Sequence, residues 1–135
     1  MTTTTPLLLV TADPSHPLAH LALRYARAYL SARPADDSSH TLNVFFYGDG
    51  AHTANRLRWQ SADQLDMTKA WQNLAEQYQL SLPVCVSTAL GRGISDTDNS
   101  ARHQLSGDNL AAGFTLVGLS ELAMMMQADG RLMQF

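Results

Sequence analysis

The chain has 135 residues, of which 45% are apolar and 16% charged, with a formal net charge of −3. That balance describes one folded domain over residues 1–135, long enough to bury a core without staples, and excludes a disordered segment. The nine Lys and Arg residues form no basic stripe and gather only around Arg56 and Arg58, which argues against direct nucleic-acid binding; the one cysteine excludes an internal disulfide.

Met1 to Pro6 carries no Lys or Arg before the brief apolar stretch Leu7 to Val10. That is too short and too uncharged for a signal peptide, and no apolar run approaches membrane-spanning length, so a soluble cytoplasmic protein without membrane contact is expected. Leu7 to Thr11 reads as a buried strand leaving through Ala12-Asp13-Pro14, with Asp13 as N-cap and Pro14 at the first helical position. The helix is expected from about Ser15 to Ala32, with Leu18, Leu21, Ala22, Tyr25, Ala28 and Tyr29 along one face. Arg33 to Ser39 reads as a solvated loop. Leu42 to Tyr47 is the clearest strand, rich in β-branched and aromatic residues, and Gly48-Asp49-Gly50 stops it. A short helix through Ala51 to Leu57 is expected next, then a longer one from about Asp63 to Tyr78. In the second, Met67, Trp71, Leu74, Ala75 and Tyr78 have core spacing.

Leu80 to Val86 reads as a third strand, with Pro83 placed where a missing N–H costs nothing. A turn or two of helix closed by Gly93 follows. Ile94 to Leu105 is polar and weakly periodic, an exposed loop or frayed helix, and Asp108 caps a short turn through Ala112. Phe114 to Gly118 is a fourth strand, Ser120 caps a helix running to Ala128 and stopped by Asp129-Gly130, and Arg131 to Phe135 is a fifth strand. Alternation of strand and helix predicts an α/β fold: a mostly parallel five-stranded sheet with helices on both faces. Chemistry in such sheets collects beyond the carboxyl ends of the strands, here Thr11 to His16, Tyr47 to His52, and Cys85 to Ser87.

Cys85 is the candidate catalytic residue. A lone buried cysteine often behaves as a small hydrophobe. This one stands where a strand meets a helix amino terminus, with Ser87, Thr88 and Arg92 following, a setting that favours thiolate. With no second cysteine in the chain, its chemistry must involve another molecule. His16 or His52 could approach it as a base; both also read as ordinary surface histidines. His16 and His20, four apart, imply no third ligand, and no metal site is expected. Gly48-Asp49-Gly50 and Gly91-Arg92-Gly93 match neither a phosphate loop nor a dinucleotide fingerprint, so no cofactor is expected. Met124-Met125-Met126 reads as core or interface filler.

The chain resembles the TusD/DsrE family of sulfur-relay subunits, its TusD-like branch most closely. The resemblance rests on Val44-Phe45-Phe46-Tyr47 with Gly50 and Ala54-Asn55, Ala70-Trp71, Val84-Cys85-Val86 with Ala89-Leu90 and Arg92-Gly93, Asn109-Leu110, Gly113 to Leu116, Gly118-Leu119 and Gln134-Phe135. It implies that Cys85 carries a persulfide, taking sulfane sulfur from a TusA-like donor and passing it to a TusE-like acceptor, toward 2-thiolation of the tRNA wobble uridine. It also implies assembly with TusB-like and TusC-like paralogues in a hexamer. DsrE-like relatives imply the alternative of dissimilatory sulfur oxidation. A non-catalytic structural subunit, with Cys85 as core filler, and a small thiol hydrolase using Cys85 with His16 or His52 are the other readings.

Overall fold

The computed structural model describes residues 5–32, 41–127 and 130–135. In chain order the elements are β1 (Leu7–Val10), α1 (Pro17–Ser31), β2 (Asn43–Phe46), a 3₁₀ segment (Gly48–Ala54), α2 (Met67–Tyr78), β3 (Leu82–Cys85), α3 (Val86–Leu90), α4 (Thr97–His103), β4 (Phe114–Val117), α5 (Leu119–Gln127) and β5 (Leu132–Gln134). The strands form one sheet in the order β4-β3-β2-β1-β5, every pairing parallel. The chain therefore steps outward from β1 to β4 and returns to the far side of β1. The α/β architecture read from the sequence is the observed one. Because all strands run the same way, the exits of β1, β2 and β3 lie side by side at one edge.

Side-chain alternation divides the sheet into two unequal faces. Leu8, Val10, Val44, Phe46, Leu82, Val84 and Phe114 point into the main core, where the buried stripes of α1 and α2 cover them. Phe46 is its centre, meeting Trp71 edge-on at 5.4 Å between ring centroids and Phe114 at 5.5 Å. Leu7, Phe45 and Cys85 point the other way, with Leu122 and Met125 of α5 packed against their cluster.

Several local expectations are corrected. Asp13 does not cap α1; its carboxylate accepts from Ser15 N and Oγ, and its carbonyl accepts from His16 N. This tight turn delays the helix to the second proline, so His16 is the N-cap and Pro17 the first helical residue. The buried stripe of α1 is Ala19, Ala22, Leu23, Ala26 and Leu30, while Leu18, Leu21 and Ala28 are exposed. Of the expected face, Ala22 is buried and Tyr25 and Tyr29 pack against the core; the observed stripe is rotated to take in Ala19, Leu23, Ala26 and Leu30, its alanines letting α1 lie close to the sheet. α2 starts at Met67 under an Asp66 cap. The 94–105 region is a capped helix rather than a loop: Asp96 caps α4 through Asn99 N, and Ile94, Ser95, Asn99 and Ser100 are buried, while Thr97, Asp98 and residues 101–105 are exposed as expected. Asp108 accepts from Thr97 Oγ1 rather than capping a turn. Ser120 lies inside α5, not at its cap. The expected loop at 33–39 and the expected stop at Asp129 lie outside the described residues.

The expected helix at 51–57 is instead the 3₁₀ segment, begun at Gly48 with φ 60°. It settles on the end of β1 so closely that a Cβ at Gly50 would overlap the Val10 carbonyl. Gly50→Ala is therefore expected to cost about 3 kcal/mol, as overpacking against fixed backbone does. Gly48→Ala meets open space and costs only the left-handed conformation, about 1 kcal/mol. Urea denaturation of both variants checks the order, and equal stabilities would show that the segment does not rest on β1.

Candidate functional site

The last residue of β3 is also the residue from which α3 begins. Cys85 is the N-cap of that helix, in extended conformation (φ −60°, ψ 120°), and no residue intervenes. Its side chain falls on the α5 face of the sheet and is only 1% exposed. Sγ lies 3.5 Å from Ser87 Oγ, and Thr88 Oγ1 donates to the Cys85 carbonyl at 3.3 Å. Burial pushes the thiol up, but hydrogen bonds from the side chains and backbone N–H groups of Ser87 and Thr88 outweigh it. The net result is a thiol held below its ordinary range. Burial alone would suit an inert core cysteine; donors converging on the sulfur do not.

Arg92 does not supply the positive charge expected of it beside the thiol. Its guanidinium is bound to Asp49, with Nε donating at 3.1 Å and Nη2 at 3.0 Å, and Nη1 donates to the Thr88 carbonyl at 3.1 Å. Arg92 thus ties the end of α3 to the 3₁₀ segment, a positioning role. The histidines also stand elsewhere. His16 Nδ1 accepts from Leu18 N as the α1 cap, and His52 acts on Asp13, whose carboxyl is held low. For Asp13, burial raises the pKa, and the Ser15 hydrogen bonds with the charges of His52 and Arg58 more than reverse it. Neither histidine is among the groups that set the Cys85 thiol. Among the described residues no hydrogen bond joins His16 or His52 to Cys85, so the structure gives a cysteine–histidine hydrolase no support. Among the described residues, no cluster of three or more His, Cys, Asp or Glu is placed to hold a metal ion.

Sequence reasoning missed the polar network that fixes the loops around α3. Asn109 accepts from Ser95 N at 2.9 Å and donates to Asn55 Oδ1 at 3.1 Å and to the Gly93 carbonyl at 2.9 Å. One side chain thereby joins the segments before α4, after the 3₁₀ turn and before β4. The asparagines at 55 and 109 were visible as residues, but their partnership spans 54 positions and no local pattern announces it. A cleft of about 510 Å³ lies between α1 and α2, on the side of the sheet away from the thiol. Among the described residues no helix is long and apolar enough to cross a membrane.

Comparison with known proteins bears on the family and the fold. The model of the DsrE/DsrF-like family matches residues 7–135. A protein named sulfurtransferase TusD from Sodalis glossinidius is 42% identical over 118 residues, which is 87% of this chain and 86% of that one. A sulfurtransferase TusD homolog from Vibrio parahaemolyticus is 42% identical over 109 residues, 80% of this chain and 83% of its own. Among solved structures, the ychN protein of E. coli superposes with a TM-score of 0.73 over 98% of this chain and 100% of its own; at 17% identity it speaks for the fold alone.

The lowered thiol has a measurable consequence. Alkylation by iodoacetamide should reach half its limiting rate at a lower pH in the native chain than in the urea-unfolded chain, whatever burial does to the absolute rate. Linkage has the same sign: between the two midpoints only the unfolded thiol holds its proton, so native stability rises with pH there. Ser87→Ala removes a donor to the thiolate, should move the native midpoint up, and should slow alkylation several-fold at pH 7. Coincident native and unfolded midpoints would mean that Ser87 and Thr88 do not act on the sulfur.

Proposed function

This chain belongs to the DsrE/DsrF-like family, and from that premise we propose that it is a sulfurtransferase, a relay subunit carrying sulfane sulfur as a persulfide on Cys85. One observation carries this: the single thiol of the chain, placed at the start of α3 with hydrogen-bond donors around its sulfur. Relatives 42% identical and named sulfurtransferase TusD support the reaction class.

The chemistry needs one thiolate. The Cys85 thiolate attacks the outer sulfur of a donor persulfide, R–S–SH. The donor's S–S bond breaks, its electron pair leaves on the R–S⁻ thiolate, and Cys85–S–SH forms with no net oxidation. An acceptor thiolate then attacks that outer sulfur and restores Cys85. A second cysteine nearby would close on the persulfide as a disulfide, so its absence suits a carrier. Ser87 and Thr88 stabilise the departing Cys85 thiolate in the second half of the cycle.

Donor and acceptor are assigned as TusA-like and TusE-like proteins, and the companions as TusB-like and TusC-like subunits in a cytoplasmic heterohexamer. The pathway is 2-thiolation of the tRNA wobble uridine, with the tRNA met by a later protein. The outer face of α5 supports the assembly: Met124 is 70% exposed, Met126 and Leu119 are about half exposed, and no residue of this helix is fully buried. A surface of this kind is suited to subunit contact. The family also leaves room for the sulfur-oxidation pathway. A purely structural subunit is favoured by one observation, the 1% exposure of Cys85.

Intact-mass spectrometry after incubation with a persulfide donor tests the carrier directly. The wild-type chain should gain the mass of one sulfur, reversibly with dithiothreitol, and Cys85→Ser should gain none. Equal loading of that variant would sink the proposal. Full pathway function of Cys85→Ala in the host would establish the structural reading instead.

A further inference from the structure

The segment following the 3₁₀ turn, Asn55 to Gln60, exposes its large apolar side chains yet is held rigidly. Leu57 is 68% exposed and Trp59 82% exposed, while the chain's other tryptophan, Trp71, is buried. The backbone beneath them is fixed on several sides. Leu57 N donates to Asn55 Oδ1 at 2.9 Å, Arg58 N to the Asn55 carbonyl at 3.2 Å, and Arg56 N to the Asn109 carbonyl at 2.6 Å. Arg56 Nη2 also donates to the Asp108 carbonyl at 2.6 Å. A loop that merely wandered into solvent would not need this framework. Ordering that is already complete lowers the cost of binding.

The segment is a ridge between two clefts. On one side Leu57 faces Leu90 and Leu105 across an open cleft of about 360 Å³. On the other side Arg56, Arg58 and Lys69 line a cleft of about 150 Å³ in which Asp66 is the one carboxylate. Asp66 already caps α2 by accepting from Lys69 N. Lys69 forms no ion pair among the described residues, and the Arg56 contact with Asp108 is a loose 3.7 Å. Positive character gathered here, in a chain of net charge −3, calls for an acidic complement. The cleft lined by Leu57, Leu90 and Leu105 also adjoins the helix that starts at the thiol. Leu90 is the last residue of α3, five positions after Cys85 and about 7.5 Å along the helix axis.

We propose that this ridge, with Leu57 and Trp59 at its crest, is the docking surface for the protein that exchanges sulfur with Cys85. That partner seats an apolar side chain between Leu57, Leu90 and Leu105 and sets a carboxylate against Arg56, Arg58 and Lys69. Tryptophan and arginine at the centre of a preformed patch are the residues that carry binding energy in protein interfaces. The inference rests on the relay reading for the partner's identity, and none of the ridge's residues belongs to α5.

The two tryptophans supply the test. The full chain labelled with 5-fluorotryptophan gives two fluorine resonances, and Trp59→Phe assigns the Trp59 line. Purified TusE-like acceptor and TusA-like donor are titrated in separately. At least one should move the Trp59 line saturably and leave the Trp71 line in place. Leu57→Ala and Lys69→Glu should each weaken that binding at least tenfold, while loading of Cys85 by inorganic polysulfide stays at the wild-type rate. The surface is wrong if neither protein moves the Trp59 line, if both variants bind as tightly as wild type, or if the line moves on concentrating the chain alone, which would mark a self-contact. Failure of the wild-type chain to take up polysulfide sulfur is a different result and overturns the carrier role, not the docking surface.

Discussion

The site depends on the absence of a linker between β3 and α3. Cys85 ends the strand and starts the helix, so its position is set by the sheet and its electrostatics by the first turn after it. Other features serve to hold that junction. Arg92 ties the far end of α3 to Asp49, Asp49 belongs to the 3₁₀ segment, and that segment rests through Gly50 on the end of β1. A five-residue helix has little stability of its own, since nucleation is costly and few bonds repay it. Here tertiary anchors replace length. The Asn109 network performs the same service for the residues that follow the helix, binding Gly93 and Ser95 to Asn55.

The two faces of the sheet differ in a way that bears on assembly. One face carries α1 and α2 over a core centred on Phe46, Trp71 and Phe114. The other carries α5, which contributes half-buried Leu122 and Met125 but no fully buried residue. The second face therefore has a thin cover with apolar side chains on its outside. Burial against another subunit would give those side chains the environment that the isolated chain does not. The thiol belongs to this same face, so whatever completes the cover also shapes the surroundings of Cys85.

Much of this was legible in the sequence, for identifiable reasons. The strands announced themselves because parallel strands buried on both faces are runs of apolar residues, as in Val44-Phe45-Phe46. The setting of Cys85 was legible too, because a strand-to-helix junction is local. The stripe of α1 was read partly off-axis: Ala22, Tyr25 and Tyr29 do face the core, but Leu18 and Leu21 at helical spacing were taken in place of Ala19, Leu23 and Ala26. The α1 start was misread because two prolines offered two beginnings, and Asp13 closes a turn in preference to capping. The role of Arg92 and the Asn55–Asn109 pair were invisible for a different reason. Each is a contact between residues far apart in sequence, which no periodicity encodes.

The near-complete burial of Cys85 sits oddly with a thiol that must be attacked, and the persulfide chemistry resolves it. In the proposed relay the atom exchanged is never Sγ itself but the sulfur bonded to it, which stands one S–S bond, about 2 Å, farther out. Ser87, exposed and 3.5 Å from Sγ, marks the direction in which that outer sulfur would emerge. A carrier built this way keeps its permanent sulfur covered, where oxidants and stray disulfides reach it poorly, and presents only the cargo. The empty thiolate then has to be reached by a donor persulfide, whose terminal sulfur is narrow and extends from its own protein by the same increment. In the proposed relay, burial this complete favours reagents shaped like persulfides over bulkier disulfides, and a single cysteine is enough to make that selection.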